Sequence, residues 1–172
     1  AFILPKSLPK KARILASHTD SPGLKLKPNP EYRKERSIML GVEVYGAPLL
    51  SSWLNRDLGI AGRVVYFDSK RTLNESLVNL DRHPVTIPQL AIHLDREVNE
   101  KGLQLNKQEH LNAVAGLEGT LPSNLFLEAL LRETIDLAQL ISHDLFLYPL
   151  EKARIIGWGD ELLAAYRIDS LA

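Results

Sequence analysis

The chain has 172 residues, 45% apolar and 24% charged, with 21 Lys plus Arg balanced by 21 Asp plus Glu. These are the proportions of a folded chain of one domain, or one domain with part of another, and not of a disordered tail. Zero net charge argues against nucleic-acid binding by phosphate neutralisation and against docking on an anionic membrane, while the lack of cysteine excludes disulfides and thiolate chemistry and fits a reducing, cytoplasmic setting.

No apolar run reaches the roughly 18–20 residues of a membrane-spanning helix. The chain opens without Met and stops at Asp169-Ser170-Leu171-Ala172 without a helix-stop signal, so both ends are expected to be internal to a longer protein.

Lys11 to His18 reads as a short strand, apolar through Ile14, Leu15 and Ala16 and broken at Ser21-Pro22-Gly23. Leu24-Lys25-Leu26-Lys27 alternates with period two, which predicts a half-buried strand stopped by Pro28-Asn29-Pro30. Glu31 to Ser37 is charged and predicts a surface loop. Met39 to Tyr45 and Gly62 to Phe67 are rich in β-branched and aromatic residues and predict strands, with a turn at Gly46-Ala47-Pro48. Leu77 to Leu80 gives a weaker strand signal. From Pro88 to Asn99, Leu90, His93, Leu94 and Val98 fall at helical spacing, and Pro88 suits a helix start. A second helix is predicted over Ser123 to Glu133, with Ser123 as N-cap and Leu127, Leu130 and Leu131 facing a core. Leu145–Leu147, Ala153–Ile156 and Leu162–Tyr166 predict further strands. The expected fold class is α+β with many short strands.

Several side chains can do chemistry. In a strand, positions i and i+2 share a face, so His18 and Asp20 can share one site, the histidine as metal ligand and the acid behind it. A three-residue His-x-Asp match is nonetheless common by chance. His93, taken by itself, reads as a core or interface histidine on the apolar stripe. His83, His110 and His143 read as surface or packing residues. Asp169 follows the apolar run Leu162 to Ile168, and a carboxylate at a strand end can bridge two metals, although an ordinary loop acid is the plainer reading. Tyr45, Trp53, Arg56 and Asp57 suggest a binding face, against the plainer reading of core or interface aromatics. There is no glycine-rich phosphate loop and no Gly-x-Ser-x-Gly elbow.

The order of these motifs along the chain carries more than any one of them. Ala16-Ser17-His18-Thr19-Asp20-Ser21-Pro22-Gly23-Leu24 resembles the Ala-His-Thr-Asp-Ser-Pro stretch of the aspartyl-aminopeptidase and aminopeptidase I family, with Ser17 as a local departure. Gly41 to Gly46, Trp53, Arg56-Asp57-Leu58 and Ala61 to Val64 resemble its next block. Ile87 to Arg96 is similar to a third, and Asp160-Glu161-Leu162 with Arg167-Ile168-Asp169 to a fourth. Ser170, Asn55 and Ala47-Pro48 depart from the family's usual Asn, Asp and Gly-Gly at those places.

The resemblance implies the following. His18 is a zinc ligand, and Asp20 orients it or tunes the site. Asp169 bridges two zinc ions. His93 belongs to a dimerisation domain and reaches the partner subunit's active site to help hold the substrate or transition state. An α/β catalytic domain contributes residues 1–27 and 156–172, and the inserted dimerisation domain occupies 28–155. The reaction is hydrolysis of a peptide with an unblocked N-terminus by metal-activated water, acidic N-terminal residues being suggested by the family's name. The family's paired glutamates, a later acidic ligand and a second histidine ligand are expected beyond Ala172. With two matched ligands, the chain by itself is expected to hold zinc poorly and to be inactive. In isolation it would act as an oligomerisation module. Assembly as a homo-oligomer, a dimer building into larger cages, is expected; nucleic-acid and membrane partners are not.

Overall fold

A computed structural model describes residues 21–120 and 125–166, together with Lys11 and Ile14. Six strands form one antiparallel sheet: β1 (Gly23–Lys34), β2 (Ser37–Tyr45), β3 (Leu58–Phe67), β4 (Leu73–Val85), β5 (Ala113–Leu117) and β6 (Gln139–Pro149), in the spatial order β4-β3-β6-β1-β2-β5. A two-stranded ribbon, β7 (Arg154–Ile156) and β8 (Leu162–Ala164), follows. Among the described residues, helix is confined to α1 (Val98–Lys101), α2 (Phe126–Arg132) and one 3-10 turn at Leu50–Trp53.

Alternation builds the core. Leu24 and Leu26 on β1, Ile38, Leu40 and Val42 on β2, Leu58, Ile60 and Val64 on β3, and Leu145 and Leu147 on β6 all point to one face and are buried. Leu127, Leu130 and Leu131 of α2 close over that face, as their spacing predicts. The opposite face carries Lys25, Glu43, Arg63, Glu75, Asp144 and Phe146, paired as Lys25–Asp144 (2.5 Å) and Arg63–Glu75 (3.5 Å). The sheet curls until its two edges meet: Thr86 N donates to Val114 O at 3.1 Å and Val114 N to Thr86 O at 2.7 Å. Bringing the edges together at that point protects backbone groups that open edges would expose.

Several expectations are corrected. The architecture is dominated by antiparallel sheet, with strands of 10 to 13 residues in β1, β3, β4 and β6, rather than by a mixture of helices and short strands. Pro28-Asn29-Pro30 does not end β1. The pairing passes from Leu26↔Val42 to Glu31↔Leu40, so a bulge absorbs the two prolines, which have no N–H to give to a ladder. His143 Nε2 donates to the Pro28 carbonyl at 3.2 Å and holds the bulge. Glu31 to Ser37 is not a loop but the rest of β1, a tight hairpin turn at Glu35–Arg36 and the first residue of β2. Glu35 and Arg36 there take φ of 48° and 63°, the backbone a two-residue hairpin turn demands, without the usual Asn or Gly.

The predicted helix over Pro88–Asn99 is absent. Residues 88–97 form an irregular arm with a turn at 92–94, and helix begins only at Val98. Leu90 is 63% exposed and Leu94 75%. A helical stripe is stabilised mainly by burying its apolar face, and no described part of the chain covers this one. Helix α2 also starts later than predicted, at Phe126; Ser123, the expected N-cap, lies outside the described residues. Glu31 takes its place, accepting from Phe126 N at 2.7 Å and Leu127 N at 2.5 Å.

Candidate functional site

Of the predicted site residues, His18, Asp20 and Asp169 lie outside the described residues, as does most of the first expected strand. Among the described residues, no three His, Asp or Glu side chains come together to hold a metal ion. His93 is described, and its surroundings differ from those of a core histidine: it is exposed, at the turn of the arm 88–97.

The arm is built from its base outward. Ile87, fully buried, is the last core residue before it. The body is joined to the arm through Asn55, which stands just after the 3-10 turn Leu50–Trp53. Asn55 N donates to Ile87 O at 2.9 Å, and its Oδ1 accepts from Gln89 N at 2.9 Å. Farther out, Leu94 N and Asp95 N both donate to Ala91 O, at 2.8 and 3.2 Å, and close the turn that presents His93. The chain returns to the body through α1 and through Leu103 and Leu105, which pack against the core.

Arg56, the next residue after Asn55, secures the other end of the chain. Its Nε donates to Ser52 O at 2.6 Å, its guanidinium pairs with Glu151, and its Cζ lies 4.0 Å from the centre of the Tyr166 ring. Contact with Tyr166, and then with Glu151, holds the guanidinium above its ordinary pKa, so it is a fixed cation. Tyr166 stands three residues before Asp169. Leu150 N donates to Asp57 O at 3.0 Å beside it. The turn 54–57 therefore holds both the arm with His93 and the segment leading towards Asp169.

Tyr45, Trp53 and Phe146 do not form an open aromatic face. Trp53 is buried, and Tyr45 meets Phe146 edge-on at 6.3 Å between ring centres. With Tyr148, Ala61, Gly62 and Ser21 they line a concavity of about 640 Å³ on the outer side of the sheet. Ser21, on its rim, directly follows Asp20. His83 contacts Glu133 at 3.4 Å, and His110 Nδ1 accepts from Asn106 N at 3.1 Å, both as exposed residues. Burial, more than any other influence, pushes the His143 imidazole below its usual pKa. Sequence reasoning did not find Asn55, Glu151 or Tyr166 as supporting residues. Their partners are 32 to 110 positions away, and no local pattern marks them.

Comparison with known proteins gives this arrangement a context. A family model described as aminopeptidase I zinc metalloprotease (M18) matches residues 1–172. The chain is 44% identical over 162 residues to a probable M18 family aminopeptidase 2 of Streptomyces avermitilis, covering 92% of this chain and 36% of that protein. It is 40% identical to the corresponding protein of Clostridium novyi, covering 92% of this chain and 38% of that one. Among solved structures, it resembles an M18-family aminopeptidase from Thermotoga maritima with a TM-score of 0.62 at 26% identity, over 86% of this chain and 34% of that chain. It also resembles the Ape4 chain of an Ape4–Nbr1 complex, with a TM-score of 0.73 at 30% identity over 86% and 31% of the two chains. A structure described as an mApe1 dodecamer matches with a TM-score of 0.60 at 30% identity, over 86% of this chain and 33% of that chain. The chain belongs to the M18 aminopeptidase I family of zinc metalloproteases. It spans little more than a third of the length of these curated relatives.

Among the described residues, no helix is long and apolar enough to cross a membrane.

Proposed function

We propose that the complete protein is a zinc-dependent aminopeptidase that removes N-terminal residues, acidic ones among them, from peptides, and that it works as a homo-oligomer. In this reading residues 28–155 are the dimerisation domain, and residues 1–27 and 156–172 belong to the catalytic domain. His18 and Asp169 would hold zinc, two ions in a complete site, and Asp20 would orient His18. Zinc in such a site supplies Lewis acidity and an activated water. His93, carried by the arm, enters the partner subunit's site and donates an N–H towards the oxygen that gains charge as the scissile carbonyl is attacked.

The observation that carries this reading is the arm. A histidine flanked by exposed Leu90, Ile92 and Leu94, lifted off a buried base, suits insertion into a complementary cleft far better than life in water. The family match over the whole chain, and the dodecamer formed by a related protein, support the same view.

The test is to assay the complete protein on peptides with unblocked N-termini, with and without a chelator. His93→Ala is expected to lower kcat by about 100-fold, the scale of losing one oxyanion donor, with a smaller change in KM. An unchanged oligomer by native mass spectrometry would separate this loss from failed assembly. Full activity in His93→Ala, or no effect of chelation, would overturn the reading.

A further inference from the structure

The arm needs a direction as well as a histidine, and the geometry at its base names the residue that sets it. Asn55 adopts φ of +54°, in the left-handed region that Asn tolerates better than most side chains. That backbone turns its N–H towards Ile87 O while its side-chain Oδ1 meets Gln89 N, both at 2.9 Å. One residue thus grips the arm at two points, separated by the rigid ring of Pro88. On one side lies the fully buried Ile87; on the other lies the exposed segment that presents His93. The gripping residue is itself held. Leu54 before it is buried, and Arg56 after it is tied to Ser52, Glu151 and Tyr166.

We infer that Asn55 is a positioning residue: it fixes the angle at which the arm leaves the body and so delivers His93 to the site that receives it. This rests on the role proposed above for His93. The side-chain oxygen and the backbone conformation make separable contributions. Asn55→Gly keeps access to the left-handed backbone but removes the acceptor. Asn55→Asp keeps an acceptor oxygen and still tolerates that backbone.

The experiment uses the complete protein and two readouts, kcat on a peptide substrate and amide hydrogen exchange of residues 89–96. Asn55→Gly is expected to lower kcat roughly 10- to 100-fold, the scale of a misplaced catalytic group, and to speed exchange in the arm, while exchange in β1–β6 stays unchanged. Asn55→Asp is expected to restore both readouts towards wild type. Unchanged exchange in the arm of Asn55→Gly would overturn the inference. So would faster exchange with an undiminished kcat. In that second case His93→Ala, assayed in parallel, separates two failures. If it is impaired, only the positioning role of Asn55 falls; if it retains full activity, the proposed role of His93 falls with it.

Discussion

His143 shows how one side chain can report on the fold. Its Nε2 donates to the Pro28 carbonyl, so the neutral ring leaves Nδ1 unprotonated, buried and without a partner. Protonating Nδ1 would place a charge on a nitrogen with no acceptor, and burial accordingly lowers the pKa, against opposing pulls from the Pro28 carbonyl and, more weakly, from Asp144. The sign follows from linkage: with a depressed native pKa, the unfolded chain takes up its proton first as pH falls. Stability is therefore fully present above about pH 6.5 and declines below it. Thermal midpoints measured between pH 7.5 and 5.5 should fall in the wild type and fall less in His143→Gln. Equal slopes would show that His143 is not buried neutral. Gly62 makes a second residue-scale prediction. Its φ is +150°, and a Cβ there would collide with the Asp144 carbonyl across the β3–β6 ladder. Gly62→Ala should destabilise by about 2–3 kcal/mol in denaturant unfolding, since backbone rather than a flexible side chain must move.

At the scale of elements, alternation made β2, β3 and the start of β1 readable, because each has one face in the core and a period of two. The turn at Glu35–Arg36 was not readable, since two charged residues there adopt a backbone usually left to Asn-Gly. Nor was the fate of 88–97. Its periodicity is real, but periodicity reports a face that wants burial and does not say whether the partner is the same chain. The ribbon β7–β8 poses a related question of support, because a lone two-stranded ribbon is marginal in water. Its Trp158 is fully exposed, and the clamp of Arg56 on Glu151 and Tyr166 ties its two ends to the sheet. Arg56→Ala should speed amide exchange in residues 154–164 and cost about 1 kcal/mol, the partial exposure of the pair keeping the figure low. Arg56→Lys should recover only part, since an ammonium cannot lie flat over the ring while also meeting Ser52 O and Glu151 as Nε and one terminal nitrogen of the guanidinium do. Unaltered exchange in both variants would show that the ribbon is held by other contacts.

For the whole molecule, the curled sheet is the base from which two segments are presented: the arm with His93 and the stretch approaching Asp169. The family was legible in the order of four short motifs, each weak when read singly. The supports at Asn55 and Arg56 were not, because their meaning lies in partners distant in sequence. If the arm of one subunit completes the zinc site of another, mixing subunits that carry different defects should restore activity. His93→Ala and His18→Ala versions of the complete protein should each be nearly inactive, for different reasons. When they are dissociated together and reassembled, a mixed dimer contains one site with an intact zinc ligand and an intact arm from its neighbour. Recovery to about a quarter of wild-type activity is expected under random pairing of two-fold dimers. Activity that stays at the level of the separate variants would contradict it and would place His93 in its own subunit's site or in none.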